Sequence, residues 1–371
     1  MMVSSMLGVY VHIPFCSSKC NYCAFSSFVT GQEEKERYFD HLIKEIKAYA
    51  KEKKEIDSIY IGGGTPSLID ENLMQKLFDV LRENFVWNDN LEFTIECNPC
   101  SLTENKLLLY KKNGVNRISL GVQSLEDDKL EFIGRKHTAS QALDAISMAK
   151  KYFDNISCDL LIGLKGLDKL MFLGQFGLLT SMGVKHISAY LLQVEEDTPL
   201  AKMVEKDENL LPDDDASVDA YQEMIDVLQT LGFTRYEVSN FAQNGFESKH
   251  NFKYWTGENY VGFGLGAHSF ENGVRWANSS KFEDYYAGKL KGKETLSNMQ
   301  KIEEHIMLGF RCRAGISKEK LLSLGYDITK NENYSEVVAN DIIIEDGDKL
   351  ILNPDFYGVS NYIIVKLLPE N

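Results

Sequence analysis

The stretch Tyr10-Val-His-Ile-Pro-Phe-Cys16-Ser-Ser-Lys-Cys20-Asn-Tyr-Cys23 decides how the rest of the chain is interpreted. Val9 to Ile13 is a run of β-branched and aromatic residues, which predicts a first strand. Three cysteines follow within eight residues, at C-x3-C-x2-C spacing. Three thiolates so close together can bind one metal centre. The sequence therefore predicts a strand that leads directly into a metal-binding loop.

The spacing of the cysteines leaves the kind of metal centre open. A structural zinc site takes four ligands, and His12 is a nearby candidate for the fourth, although it lies inside the predicted strand. Three cysteines also suit a [4Fe–4S] cluster with one iron open to a small molecule, although four cysteines are the usual count. A redox thiol group and cysteines buried by chance are the remaining alternatives.

The composition is that of a globular protein. Of the 371 residues, 44% are hydrophobic and 26% are charged, which excludes disordered and fibrous classes. The chain has 40 Lys and Arg against 55 Asp and Glu, a net charge of -15. Nucleic acids and anionic membranes both attract basic patches, so this acidic balance argues against either as a main partner. We therefore expect no nucleic-acid partner.

The apolar pattern gives an expectation about location. Met1 to Leu7 lacks the basic and apolar segments of a signal peptide. No apolar run approaches the ~20 residues that a spanning helix needs. We therefore expect a cytoplasmic protein without stable membrane insertion. Thiols stay reduced in that compartment, so clustered cysteines indicate metal binding or catalysis more than disulfides.

Strands alternate with helices over the first half of the chain, at intervals of about 30–35 residues, which is typical of βαβ units. Roughly six strands before residue 195 favour an α/β fold with a partial or complete barrel, whose site lies at the carboxyl ends of the strands. A doubly wound open sheet is the alternative. The predicted strands are Val9–Ile13, Ser58–Ile61, Leu91–Ile95, Val115–Leu120, Ile156–Ile162 and Val184–Leu192.

The pattern changes after residue 195. Residues 195–215 are acidic and contain two prolines, and residues 235–277 are rich in aromatics, Gly and Asn with little periodicity. From about residue 297, helices precede a hairpin turn at Asp346-Gly-Asp348, as in a winged-helix module. We therefore expect three parts: a barrel with the metal site over 1–195, an extension over 196–296, and a small α+β winged-helix-like domain over 297–371.

The cysteine motif, with Tyr22 before its last cysteine, resembles that of the radical S-adenosylmethionine (SAM) superfamily. The segment from Tyr10 to Cys16 is similar to the coproporphyrinogen III oxidase-like branch. This resemblance spans about residues 7–365 and implies a partial (β/α)6-type radical SAM barrel. It also implies that Cys16, Cys20 and Cys23 bind a 4Fe-4S cluster, whose open iron is chelated by SAM.

Other motifs extend the resemblance. Gly62-Gly-Gly-Thr-Pro66 taken alone is an ordinary βα turn, but it resembles the loop of this superfamily whose backbone contacts the amino group of SAM. Arg135 has the planar fork that suits a carboxylate, either of SAM or of a porphyrin propionate. The cofactor-binding residues that the resemblance implies are Tyr10, Tyr22, Gly63, Gly64, Thr65, Glu96, Gln123, Arg135 and Asp159.

The segment His250-Asn-Phe-Lys-Tyr-Trp255 resembles an element found in haem chaperones of that branch. A histidine flanked by aromatic residues can bind haem iron while Tyr254 and Trp255 pack against the macrocycle. His250 is therefore a candidate haem ligand, the alternative being a loop histidine with satisfied hydrogen bonds. The oxidase has one more cysteine two residues after the third, where this chain has Phe25. That difference favours the chaperone over the oxidase.

The resemblance implies a haem chaperone that binds a 4Fe-4S cluster, SAM and haem and transfers haem to an acceptor protein. An electron donor for the cluster is a further implied partner. The alternatives are an oxygen-independent coproporphyrinogen III oxidase, which performs an oxidative decarboxylation in porphyrin biosynthesis, and a radical SAM enzyme on another substrate. Cys97 and Cys100 form a second C-x-x-C, which we interpret as incidental, with a redox or metal role as the alternative.

Overall fold

The computed structural model describes residues 6–369, which form two sheets flanked by helices. We expect no signal peptide in Met1 to Leu7, and most of this segment lies outside the described residues. The strands are β1 Leu7–Ile13, β2 Lys54–Gly63, β3 Phe85–Cys97, β4 Arg117–Gln123, β5 Asn155–Ile162, β6 His186–Leu191, β7 Thr234–Arg235, β8 Asn240–Ala242, β9 Tyr260–Phe263, β10 His268–Glu271, β11 Val274–Asn278, β12 Leu290–Thr295, β13 Ile316–Ser317, β14 Ile343–Asp346 and β15 Lys349–Leu352. The helices are α1 Gln32–Tyr49, α2 Glu71–Asn84, α3 Glu104–Lys112, α4 Asp127–Phe132, α5 Ala139–Lys150, α6 Lys169–Ser181, α7 Pro199–Val204, α8 Asp214–Thr230, α9 Lys249–Thr256, α10 Phe282–Tyr286, α11 Asn298–Gly309, α12 Lys318–Ser323, α13 Tyr334–Ala339 and α14 Ser360–Leu367.

The large sheet contains the predicted parallel strands in chain order. Strands β1 to β6 are consecutive parallel neighbours, and β9 adds in parallel to the free side of β1. A doubly wound sheet would reverse its strand order at the first strand, so this alternative is wrong. The sheet ends in β7 on one side and β12 on the other, without closing. The expectation of a partial parallel α/β barrel is confirmed.

The strands of the barrel are buried on both faces, as parallel strands covered by helices require. In β1 every residue except Tyr10 is buried, and the core of this sheet continues through the apolar faces of α1 and α2. Side-chain caps fix where the flanking helices begin. The carboxylate of Asp70 accepts hydrogen bonds from the backbone of Asn72 and Leu73, and Thr138 forms a capping box with Gln141.

A second core lies in the last part of the chain, between residues 302 and 367. Here α11, β13, α12 and α13 precede the hairpin of β14 and β15, and the three strands form a small antiparallel sheet. This order of elements agrees with the predicted winged-helix-like fold. The exact division of the chain at residues 195 and 296 stays a prediction.

No helix within residues 6–369 combines the length and the apolar character needed to cross a membrane.

The turn after β9 gives a prediction about stability. Gly264 has a φ of +102°, and a Cβ there would lie 2.7 Å from the carbonyl oxygen of His12. Gly264→Ala should lower the free energy of unfolding by roughly 2–4 kcal/mol, through backbone strain and the clash together. Gly232 is the matched control, with a φ of +82° and no atom within 4 Å of an added Cβ. Gly232→Ala should cost about 1–2 kcal/mol in urea unfolding; equal losses would contradict the packing described.

Candidate functional site

A cavity of about 1070 Å³ opens at the carboxyl ends of the barrel strands. It exceeds the ~300–1,000 Å³ typical of one drug-sized ligand, so it has room for more than one small molecule. Eleven of the sequence-predicted residues line it: Cys16, Cys20, Tyr22, Cys23, Gly63, Gly64, Thr65, Glu96, Gln123, Arg135 and Asp159. Tyr10 and His250 do not line it. The fold therefore brings residues from five successive strands and their loops to one place.

The cysteine loop is held from two sides. Thr65 donates a hydrogen bond from Oγ1 to Cys16 Sγ at 3.5 Å, and Arg135 donates from Nη1 to Cys20 Sγ at 3.7 Å. The Asn21 side chain donates to the carbonyl oxygen of Phe132 at 2.7 Å. Hydrogen bonds to ligating sulfurs tune and orient a metal centre. The loop is thus oriented by the glycine-rich loop and by the segment after β4.

The donor set fits an iron–sulfur cluster better than a zinc ion. All three cysteines are free thiols lining one cavity. No three His, Cys, Asp or Glu side chains between residues 6 and 369 are arranged to hold a single metal ion. The His12 ring is engaged elsewhere, with Nδ1 2.9 Å from the Tyr10 hydroxyl and Nε2 3.0 Å from the Ser26 carbonyl oxygen. A cluster binds each thiolate through a different iron, so its ligands need not converge on one point.

Glu96 joins the end of β3 to the glycine-rich loop. Its Oε2 accepts a hydrogen bond from the backbone of Gly63 at 3.0 Å, and its Oε1 accepts one from the Tyr60 hydroxyl at 2.8 Å. Burial and the neighbouring Asp159 raise the pKa of Glu96 to about 7. This carboxyl can therefore gain or lose a proton near neutral pH, and in its charged form it can accept hydrogen bonds from a cationic ligand.

A buried arginine lies close to these carboxyls. Arg117 begins β4, is 1% exposed and lines the cavity. Its Nε and Nη1 have no hydrogen-bond partner in the part of the chain that the structure describes. Its charge lowers the pKa of both Glu96 and Asp159, although burial outweighs it and raises both. Asp159 also accepts a hydrogen bond from Ser119 Oγ at 3.1 Å.

The end of β4 has an irregular backbone. The pairing of β4 with β5 shifts register between Gly121 and Gln123, and Gln123 has a φ of 69°, which is rare for a residue other than glycine. Arg135 donates from Nη2 to the carbonyl oxygen of Gly121 at 2.6 Å, which fixes the arginine across this bulge. Strained backbone of this kind is concentrated at binding sites.

His250 lies on α9, outside the cavity and fully buried. Its Nδ1 is 2.9 Å from Ser58 Oγ, and its Nε2 is 2.9 Å from the Tyr254 hydroxyl. Burial lowers its pKa to about 3, so the ring is neutral, and its plane stacks on Tyr60 at 5.5 Å. Both nitrogens already have partners, so this geometry does not support the predicted role as a haem ligand. The His250 ring instead packs against Tyr60, whose hydroxyl donates a hydrogen bond to Glu96.

The four remaining cysteines form no disulfide bonds. Cys97 and Cys100 line the cavity as free thiols, the first buried and the second exposed. Burial raises the pKa of the Cys97 thiol well above its usual value, which makes it a weak nucleophile. Cys158 and Cys312 are buried free thiols outside the cavity.

Sequence reasoning missed Tyr60 and Arg117. Tyr60 lies inside a strand, where an aromatic residue indicates only packing. Arg117 did leave a signal, because a charged residue within the apolar run of β4 indicates a buried polar role. The contact of Tyr60 with Glu96 depends on the register between β2 and β3, which pairs Tyr60 with Thr94.

Known proteins are similar to this chain in amino-acid sequence. Residues 10–173 match the Radical SAM superfamily. The heme chaperone HemW of Lactococcus lactis is 32% identical over 372 residues, covering 98% of each chain. The chain belongs to the HemW family. The heme chaperone HemW of Bacillus subtilis is 36% identical over 325 residues, covering 85% of this chain and 86% of the relative.

A solved structure shares the whole fold. The coproporphyrinogen III oxidase HemN of Escherichia coli matches with a TM-score of 0.84, covering 98% of this HemW-family chain and 90% of its own. The two sequences are 20% identical, so this likeness shows the fold alone. Membership of the radical SAM superfamily implies a 4Fe-4S cluster and SAM as cofactors, and the cysteine loop and cavity fit both.

The pKa of Glu96 predicts a pH dependence of stability. Its value of about 7 in the folded state lies above the ordinary 4.5, so the stability it contributes is complete below pH 4.5 and is lost as the pH rises through 7. From pH 5 to pH 8 the parent should therefore lose up to about 3 kcal/mol more than Glu96→Gln, measured by urea unfolding without ligands. The exposed Glu52→Gln is the control. The same pH dependence in parent and Glu96→Gln would contradict this electrostatic account.

Proposed function

We propose that this chain is a haem chaperone, which binds a 4Fe-4S cluster, SAM and haem and transfers haem to an acceptor protein. The observation that carries the proposal is that one cavity joins the cysteine loop to a set of exposed apolar side chains. Similarity to heme chaperones named HemW over the whole chain supports the same function.

The cluster and SAM are proposed to occupy the end of the cavity formed by the cysteine and glycine-rich loops. Cys16, Cys20 and Cys23 would hold the cluster, which supplies one-electron chemistry once an electron donor reduces it. The backbone of Gly63 to Thr65 would bind the methionine end of SAM. The remaining polar contacts to SAM would come from Tyr22, Glu96, Gln123, Arg135 and Asp159.

The apolar part of the cavity suits a large flat ligand. Phe25, Val218 and Val359 line it with exposed fractions of 71%, 64% and 54%, and Tyr190 and Leu191 are also exposed there. Large apolar side chains left in solvent around one opening mark a binding surface. Haem is a flat apolar ring with two carboxylates, so it would cover these side chains. Phe25 occupies the place of the oxidase's additional cysteine and belongs to this surface.

Substitution of a cluster ligand tests the metal centre. After anaerobic reconstitution, the parent should contain about four iron and four sulfide ions per chain. Cys16→Ala should lower both strongly, because the cubane would keep only two thiolate ligands and would have two irons without a protein ligand. Cys100→Ala is the matched control, since this thiol lines the same cavity but lies outside the cysteine loop. Equal iron and sulfide in parent and Cys16→Ala would overturn the cluster assignment.

Two assays on one preparation separate the chaperone from the oxidase. The reconstituted protein is titrated with haem, and is separately incubated without oxygen with coproporphyrinogen III, SAM and a reductant. The proposal predicts stoichiometric haem binding and no decarboxylated porphyrinogen. Decarboxylated product without haem binding would instead establish the oxidase.

The placement of His250 gives a prediction about haem binding. His250→Gln should leave the absorption spectrum and affinity of bound haem unchanged, because neither ring nitrogen reaches the cavity. It should lower the free energy of unfolding by about 1–3 kcal/mol, since it disturbs two buried hydrogen bonds. A shifted haem absorption band in this variant would restore His250 as the iron ligand.

The cytoplasmic location and the electron donor stay predictions. They follow from the apolar pattern and from the chemistry of a reducible cluster.

A further inference from the structure

One end of the cavity is formed by residues that come late in the chain, far from the cysteine loop in sequence. These residues belong to two parts of the chain. We call this end the junction recess and define it by Tyr221, Arg235, Ser239 and Tyr357, all of which line the cavity. Arg235 ends β7 of the large sheet, whereas Tyr357 precedes α14 and belongs to the second core. Backbone hydrogen bonds join the two parts beside the recess, from Val238 to Arg311 at 3.0 Å and from Arg313 to Tyr236 at 2.9 Å.

Arg235 is a buried cation with incomplete pairing. It is 8% exposed, and its Nη2 donates to the Tyr221 hydroxyl at 3.0 Å and to the Val238 carbonyl oxygen at 2.7 Å. Its Nε has no hydrogen-bond partner among residues 6–369. Among residues 6–369, Arg235 forms no ion pair with a carboxylate oxygen within 4.0 Å. A buried charge that lacks a close ion pair is costly, which points to an anion supplied by a ligand.

A second hydrogen-bond donor lies beside Arg235. The guanidinium lies over the Tyr357 ring at 4.7 Å, and the buried Tyr357 hydroxyl has no hydrogen-bond partner in the described part of the chain. The neighbouring Glu237 does not neutralise the arginine fully, because burial raises the pKa of this carboxyl to about 7. The guanidinium and the Tyr357 hydroxyl, both from residues that line the recess, therefore each retain a hydrogen-bond donor without a partner among the described residues.

Apolar side chains adjoin the recess. Val218 precedes Tyr221 by one turn of α8, and Val359 follows Tyr357 by two residues. Both valines line the cavity and are exposed. The ligand that fits this combination has a broad apolar body and an anionic group at its edge. A planar guanidinium binds a carboxylate through two parallel hydrogen bonds, which favours a carboxylate as that group.

We propose that the junction recess binds a carboxylate of the ligand in the cavity, namely one propionate of a porphyrin, through Arg235 and the Tyr357 hydroxyl. This assignment rests on the proposed function and names the residues that would select the ligand there. Because the two residues come from different parts of the chain, the bound ligand would connect the barrel to the C-terminal unit.

The test compares haem with haem dimethyl ester, whose propionates carry no charge. Both are titrated into the full-length parent, Arg235→Met and Tyr357→Phe. The parent should bind haem about tenfold more tightly than the ester, and Arg235→Met should bring this ratio close to one by weakening haem alone. Tyr357→Phe keeps the ring beneath the guanidinium and should lower the ratio severalfold.

Arg313→Met is the matched control, because Arg313 is half-exposed, pairs with Glu247 at 2.8 Å and does not line the cavity. It should keep the parent's ratio of haem to ester affinity. Thermal unfolding of each variant shows whether it is folded, and Tyr357→Phe keeps the test valid should Arg235→Met fail to fold.

The methionine carboxylate of SAM is the other possible anion. Binding of SAM to the reconstituted protein should be unchanged in Arg235→Met. A loss of SAM binding with an unchanged haem ratio would assign the recess to SAM and overturn the porphyrin assignment. An unchanged ratio in both recess variants, with SAM binding intact, would also overturn it. A parent that binds neither haem nor the ester would contradict the proposed function itself.

Discussion

The close pairing of β1 with β2 is the constraint on which the site depends. The backbone of Gly64 donates to the carbonyl oxygen of Ile13 at 2.8 Å, which joins the glycine-rich loop to the chain just before the cysteines. A Cβ at Gly64 would lie 2.7 Å from the Phe15 carbonyl oxygen, and one at Gly63 would lie 2.6 Å from the His12 ring. Only glycine permits this approach. Thr65 then comes within hydrogen-bond distance of Cys16.

The electrostatics of the cavity differ from those of the chain as a whole. The chain has a net charge of -15, but the cavity holds the buried cations Arg117 and Arg235. Two carboxyls, Glu96 and Asp159, lie near the first of these, and burial raises the pKa of both. The cavity thus offers charges of both signs in a region of low dielectric, where each is stronger than in water. This arrangement suits SAM, which carries both signs, and a ligand with carboxylates.

Local sequence predicted those parts of the site that depend on neighbouring residues. The cysteine loop and the glycine-rich loop each follow a strand, Glu96 lies at the end of a strand, and the βα period placed all three at one edge of the sheet. The junction recess was not predictable, because Arg235 and Tyr357 are 122 positions apart and meet only when the C-terminal unit packs. Residues 235–277 showed little periodicity because their strands are too short to display one, yet they extend both edges of the sheet. Local sequence could not decide the role of His250, because aromatic neighbours suit both a haem ligand and a buried helix.

A haem chaperone, as proposed for this chain, transfers its bound haem directly to another protein. Haem absorbance can be followed after the haem-loaded protein is mixed with increasing concentrations of the apo form of a haem protein. If transfer is direct, its rate should rise with the concentration of an acceptor, because a complex of the two proteins precedes transfer. A rate equal to that of spontaneous haem dissociation at every acceptor concentration would contradict it.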